Sequence, residues 1–223
     1  MIEITEVCTQ CGQKNKLSVY TGINTLRNPE LKSKVKDGSL FLWDCPHCGN
    51  LNLLSYNVLY HDPKFPLMIW LLPNEGLNES DKENVEKKIA EISKQIHEDL
   101  SFYTLRRVDD VGSLIEKANI FDCGLDDTVI EMCKYVTKLE LVEKITDPEQ
   151  VQALMQKTLR FYKLEGADNE ILLTLPEDGQ MKTLSLGFHI YEDCRNILRR
   201  NTAVKPAPGF GIVDEEWLTS FFH

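Results

Sequence analysis

Residues 8–12 read CTQCG and residues 45–49 read CPHCG, one five-residue Cys-x-x-Cys-Gly pattern used twice. Thiols spaced i, i+3 sit on the same side of a tight turn, and two such pairs supply the ligands of one metal ion. The glycine has a physical role. A metal knuckle curls its chain so that backbone N–H groups aim at the thiolates, and the curl needs a turn that a Cβ would obstruct. Pro46 presets the backbone angle at the second position of its own turn. Four thiolates favour tetrahedral Zn²⁺ with Zn–S near 2.3 Å, and they leave no open position for a substrate. The expectation is therefore one structural Zn²⁺ held by Cys8, Cys11, Cys45 and Cys48.

Two other readings compete. A thioredoxin-like redox pair wants a single Cys-x-x-Cys opening a helix, and Gly12 or Gly49 directly after the second cysteine would interrupt that helix. Coincidence is the other, and among seven cysteines two separate i, i+3 pairs are not expected by chance. His47, inside the second knuckle, reads as a solvent-facing filler and not as a ligand. Cys123, Cys133 and Cys194 have no partner at metal spacing and read as free thiols, Cys133 as a small buried hydrophobe.

Thirty-three residues separate Cys11 from Cys45, against the compact spacing of about 15–20. Doubling a closed loop costs only about 0.6 kcal/mol, whereas structural zinc contributes about 10–16 kcal/mol, so the metal term decides. The insert also has its own structure. Asn28-Pro29-Glu30-Leu31 reads as a helix start and Gly38 as its stop, with strand-like runs at 16–20 and 39–43. The whole reads as a zinc ribbon carrying a helical insertion.

The two knuckles, the helical insert, Leu59-Tyr60-His61-Asp62 and the run FPLMIWLLP at 65–73 together resemble the CpXC family of bacterial and archaeal proteins. The likeness extends over roughly residues 7 to 130, including Leu114-Ile115-Glu116-Lys117 and Gly124-Leu125-Asp126-Asp127. The resemblance implies the same four ligands, Cys8, Cys11, Cys45 and Cys48, and brings no activity with it. The chain departs from the family pattern at Thr9, which stands in the usual proline position.

Other residues could do chemistry. Tyr60, His61 and Asp62 offer an acid, a base or a second metal site, but strand neighbours point to opposite faces. They cooperate only if the chain turns there, which Pro63 would permit; a His-Asp pair at a strand end is more often a turn former. Asp109-Asp110 and Asp126-Asp127 are paired carboxylates at predicted helix starts, where capping accounts for them. The sequence holds no Gly-rich phosphate loop, Gly-x-Ser-x-Gly elbow or His-Glu-x-x-His helix.

The positioning elements follow from periodicity. Residues 51–60 read as one long strand, and the apolar run 67–72 as a short strand buried on both faces. A charged helix is predicted over 78–100, with Ser80 and Glu83 as a capping box and Val85, Ile89, Ile92 and Ile96 as a narrow stripe. A strand at 102–108 precedes two helices. Ser113 and Glu116 cap the first; Asp126 and Asp127 open the second, whose inner face is Val129, Ile130, Cys133 and Val136. Asp147-Pro148 starts another helix. Strands at 159–164, 171–175 and 181–186 follow, the last two joined by a turn at 177–180. A helix at 191–200 and a Pro-rich linker at 205–209 lead to Trp217, Leu218, Phe221 and Phe222, which either dock back onto the body, the favoured reading, or insert into another subunit.

Residues 1–60 hold six Lys/Arg against five Asp/Glu, and the remainder holds 19 against 30, for a net charge of −10. An acidic body argues against extensive wrapping of nucleic acid. The start lacks a secretory pattern, and the apolar run closed by Pro66 and Pro73 falls far short of the about 20 residues of a bilayer span, so a cytoplasmic protein with reduced thiols is expected. The fold class is α+β: an N-terminal zinc ribbon with a helical insertion, packed on a mixed α/β body containing an antiparallel sheet. The expected divisions are a zinc-ribbon region at 1–76, a helical region at 77–140 and a C-terminal α+β region at 141–223. The favoured function is a non-catalytic interaction module with a protein partner. One alternative is nucleic-acid contact through Arg27, Lys32, Lys34 and Lys36 with Phe41 or Trp43 as stacking surfaces. The other is an enzyme using His61 and Asp62.

Overall fold

In a computed structural model, which describes residues 1–73, 83, 84, 87–89, 91, 100–177 and 179–222, the chain forms two units. One comprises Met1–Ala118 with Ala207–Ile212, the other Asn119–Pro206 with Val213–His223. Both mix helices with strands, the α+β class expected.

The first unit opens with a hairpin of β1 (Ile2–Val7) and β2 (Lys14–Val19), in register from Ile2 opposite Val19 to Val7 opposite Lys14. The first knuckle is its tip. A second hairpin, β4 (Leu42–Asp44) and β5 (Leu51–Leu53), carries the second knuckle at its own tip. Cys8, Val19, Trp43, Cys45 and Leu54 form a small core there, joined by Ile4, Leu17 and Tyr56. Between the hairpins lie β3 (Gly22–Asn24) and α1 (Pro29–Lys36), which has proline in its first turn and buries Leu31 and Val35. The helical insertion is thus where the sequence places it.

Two sequence expectations are corrected in this stretch. The run 39–43 begins as a 3₁₀ turn, Ser39–Phe41, before extending into β4. The run 51–60 is two strands: the Leu54 N–H still pairs with the Phe41 carbonyl (2.7 Å), but there the opposite chain turns into the Ser39–Phe41 segment and, among the described residues, β5 has no further partner. The chain resumes as β6 (Val58–Asp62), followed by β7 (Leu67–Leu71) and β8 (Thr104–Val108). These make a mixed four-stranded sheet, ordered β3-β6-β7-β8, with β6 and β7 antiparallel and the outer pairs parallel. Strict alternation buries Leu67, Ile69 and Leu71 on one face. The other face is covered too: Met68 and Trp70 pack with Leu72, Ile89, Leu105 and Phe210.

Phe210 arrives from far along the chain. The segment Ala207–Ile212 returns to the first unit, bridges β8 at Arg106 and Gly211, and sets the Phe210 ring edge-on to Trp70 at 5.3 Å. The predicted charged helix over 78–100 lies for the most part outside the described residues. Of its stripe, Ile89 is described and buried.

Helix α2 (Val111–Asp122) carries the chain into the second unit. The sequence assigned its cap to Ser113, but the carboxylate of Asp110 takes that role one turn earlier, accepting from Ser113 N (2.9 Å) and Oγ (2.6 Å). Helix α3 (Asp127–Val142) starts under the Asp126 side chain, as expected, and α4 (Pro148–Met155) under Asp147. Strands β9 (Arg160–Glu165), β10 (Glu170–Glu177) and β11 (Gln180–Leu186) form an antiparallel sheet with β10 central. Then follow α5 (Phe188–Arg200) and the short α6 (Glu215–Thr219). Val129, Ile130, Cys133, Ile171, Leu173, Leu175, Tyr191 and Leu218 share one core, with Val136 and Trp217 at its margin. The aromatic tail therefore docks on its own chain, and Phe222 stacks on Tyr135. Among the described residues, no helix is long and apolar enough to cross a membrane.

Candidate metal centre

The two knuckles are built alike, bond for bond. In the first, Gly12 N donates to Cys8 O (2.9 Å) and Cys8 N to Gln13 O (3.0 Å); in the second, Gly49 N donates to Cys45 O (2.8 Å) and Cys45 N to Asn50 O (2.9 Å). Gly12 and Gly49 take φ of 71° and 73°, the left-handed conformation that glycine adopts without strain. Each glycine follows the second cysteine, and its N–H bond back to the first cysteine's carbonyl closes the turn.

The sulfurs converge. One ligand atom from each of Cys8, Cys11, Cys45 and Cys48 lies within 4.8 Å of all the others. Across the knuckles, Cys8 Sγ is 3.6 Å from Cys48 Sγ and Cys11 Sγ is 3.7 Å from Cys45 Sγ. A disulfide would bring them to about 2 Å. A tetrahedron with arms of about 2.3 Å has edges of about 3.8 Å; the two cross-knuckle distances are of that length, and the four cysteines lie close enough to hold a metal ion. Cys8 and Cys45 are buried, whereas Cys11 and Cys48 are exposed.

Electrostatics within the cluster push its thiols in opposite directions. The backbone N–H of Cys11 is the main influence on the Cys8 thiol, and with the Gln10 N–H it outweighs desolvation and brings the thiol down to about 6. At Cys48 the Asn50 N–H favours the thiolate, but desolvation and the three neighbouring sulfurs prevail and push it up to about 12. A first thiolate opposes the next. A divalent cation held by the four sulfurs would remove that opposition, and its uptake would release protons.

Residues 7–134, more than half of the chain, match the family model described as CpXC protein. The chain belongs to the CpXC family. No curated protein and no solved structure matches it. Within this CpXC chain the matched residues hold both knuckles, the insert and the four-stranded sheet.

The other candidate residues do not converge. His47 is exposed and stands outside the four-sulfur group. Asp62 points inward, accepting from Thr25 Oγ1 (2.9 Å), Lys32 Nζ (2.9 Å), Lys64 N (3.2 Å) and Tyr60 Oη (3.4 Å). His61 lies on the opposite face, where Nε2 meets Tyr103 Oη at 2.9 Å and Nδ1 meets Asn24 Nδ2 at 3.2 Å. Strand alternation separates the pair, and the two make no acid–base couple. Asp110 and Asp126 cap helices. Phe41 and Trp43 are buried, so neither offers a face for stacking a base, and Lys32 is tied to Asp62.

Sequence reasoning missed two residues at the centre. Asn52 Nδ2 lies 3.7 Å from Cys8 Sγ, and Asn15 Nδ2 lies 3.9 Å from Cys45 Sγ. A readable signal existed. Each asparagine stands four places after the second cysteine of its knuckle, so the repeat is Cys-x-x-Cys-Gly-x-x-Asn.

Proposed function

We propose that the cluster holds one structural Zn²⁺, making the N-terminal part a zinc ribbon with a helical insertion, and that this cytosolic protein is a non-catalytic interaction module. The observation that carries the metal reading is the set of cross-knuckle sulfur distances, 3.6 and 3.7 Å. They match the edges of a tetrahedral thiolate site, and zinc suits an all-thiolate tetrahedron. With every ligand supplied by the protein, the ion's chemistry is to fold the hairpins against each other. Cys8 and Cys45 anchor in the small core, while the knuckle glycines give the backbone its curl.

The interaction reading is supported by the outer face of the β4–β5 hairpin. Leu42, Leu51 and Leu53 all project there and all are exposed. Three leucines on one short hairpin are an apolar surface of the kind that partners cover.

Native mass spectrometry of freshly purified, reduced protein tests the metal: a mass one zinc above the apo chain is expected. Replacing Cys45 and Cys48 with serine should abolish that increment and lower the melting temperature. An apo mass alone, or a double variant that melts like the parent, would remove the proposal.

A further inference from the structure

Asn15 and Asn52 are buried polar side chains beside the cysteine cluster, and their arrangement is symmetric. Each Nδ2 donates to the carbonyl two residues earlier: Asn15 to Gln13 O (2.9 Å) and Asn52 to Asn50 O (2.7 Å). A carbonyl demands a donor, so this bond fixes which end of each amide is nitrogen. The same nitrogen then faces a sulfur of the opposite knuckle. Asn15, from the first repeat, faces Cys45; Asn52, from the second, faces Cys8. The sulfurs chosen are the two that are buried.

We infer that Asn15 and Asn52 are positioning residues of the metal centre, each donating an amide N–H to the buried sulfur of the opposite knuckle, so that the functional unit is Cys-x-x-Cys-Gly-x-x-Asn used twice and crossed. The inference rests on the metal reading above. Four thiolates around a divalent ion carry two surplus negative charges. At Cys11 and Cys48 water can absorb that charge. At Cys8 and Cys45 it cannot, and a buried anion without donors is costly. An N–H aimed at sulfur supplies the missing solvation and holds the side chain in the geometry the ion needs.

The departure at Thr9 fits the same scheme. Thr9 N and Thr9 Oγ1 both donate to Asn52 Oδ1, each at 2.9 Å. Proline has no N–H to give, and proline occupies the matching position, Pro46, in the second knuckle. Thr9 thus anchors the far end of the Asn52 amide, and Asn52 is the more firmly held of the pair.

The test uses Co²⁺ as a coloured probe added to the reduced, metal-free full chain, with Zn²⁺ affinity measured by competition against a chelator. Asn15→Ala and Asn52→Ala should each weaken Zn²⁺ binding by about 10–100-fold, as loss of such supporting partners does. Each should also move the sulfur-to-cobalt band to lower energy, because a sulfur relieved of a hydrogen bond is a better electron donor. Asn52→Leu, which keeps the volume, should shift the band the same way, and Thr9→Pro should give a smaller loss of affinity. Gln13→Ala, which keeps the carbonyl, serves as the reference. Parent-like affinity and band position in the asparagine variants would overturn the inference while leaving the metal reading intact. A parent protein that gives no sulfur-to-cobalt band would overturn the metal reading, and this inference with it.

Discussion

The side-chain amide nitrogen of Asn24 lies 3.2 Å from Nδ1 of His61, and the orientation of that amide is fixed. Its oxygen accepts from Leu26 N (3.1 Å) and Arg27 N (3.2 Å), so only N–H groups can face the ring. Nδ1 must then be the acceptor, and Nε2 carries the proton that it donates to Tyr103 Oη. A proton added at Nδ1 would meet the donor amide of Asn24.

The consequence is a pH dependence of stated sign. Desolvation holds His61 below its ordinary 6.5, against a smaller opposing pull from Asp62. The unfolded chain therefore binds the proton more readily, and the stability His61 contributes is complete above pH 6.5 and lost as pH falls from there through the folded value. Proton NMR should find the ring titrating below 6.5. Asn24→Asp, which presents a carboxylate to Nδ1, should move the titration to higher pH; no movement would contradict the assigned tautomer.

Asp62 is a structural carboxylate, with a side chain only 3% exposed and an ion pair to Lys32 at 2.9 Å. Asp62→Ala should lower stability by about 3 kcal/mol, because the groups that donate to it lose their acceptor. Urea denaturation of the metal-loaded protein would read this as a lower midpoint at unchanged slope. Asp62→Asn, which keeps one acceptor oxygen, should lose less.

A second ion pair, buried at its lysine end, ties the C-terminal helix to α3. Lys138 is 2% exposed, and its ammonium lies 2.6 Å from both oxygens of Glu215 and 3.1 Å from Met155 O. Glu215 is 40% exposed, so water weakens the attraction, and Glu215→Ala should cost about 1–3 kcal/mol. Replacing both residues with methionine should recover much of that, since no unpaired charge then remains buried. If the double variant melts no higher than Glu215→Ala, the pair is worth more than its desolvation.

Leu218, fully buried in the core of the second unit, is the anchor of the aromatic tail. Leu218→Ala should destabilise by about 3 kcal/mol, whereas Phe222→Ala, at a partly exposed ring, should cost less than about 1 kcal/mol. Melting temperatures of both variants should be independent of protein concentration. A tail exchanged between chains would make them rise with it.

Much of the four-cysteine cluster was legible because local spacing specifies it: two i, i+3 cysteine pairs with following glycines leave the backbone few alternatives. The opposed faces of His61 and Asp62 were legible for the same reason, from strand alternation. Asn15 and Asn52 were not read, because their value lies in crossed contacts between segments 30 and 44 residues apart. The break at 54–57 was hidden differently. Every residue around it suits a strand, and β5 ends because its partner turns away at Ser39–Phe41, which the propensity of 51–60 does not report. Helix starts fared best where proline or aspartate marks them, at Pro29, Asp126 and Asp147. At α2 the adjacent Asp110 and Ser113 both qualify as caps, and only the hydrogen bonds distinguish them.

The return of Ala207–Ile212 to the edge of β8 bears on how the protein is made. A chain emerging from the ribosome presents β3, β6, β7 and β8 well before Phe210 exists. Until residues 119–206 have been synthesised, Trp70 and Leu105 lack the ring that covers them, and the outer strand lacks its last neighbour. The first unit is thus begun early and finished late, and the nascent chain carries an open sheet margin from the completion of β8 until Gly211 is added.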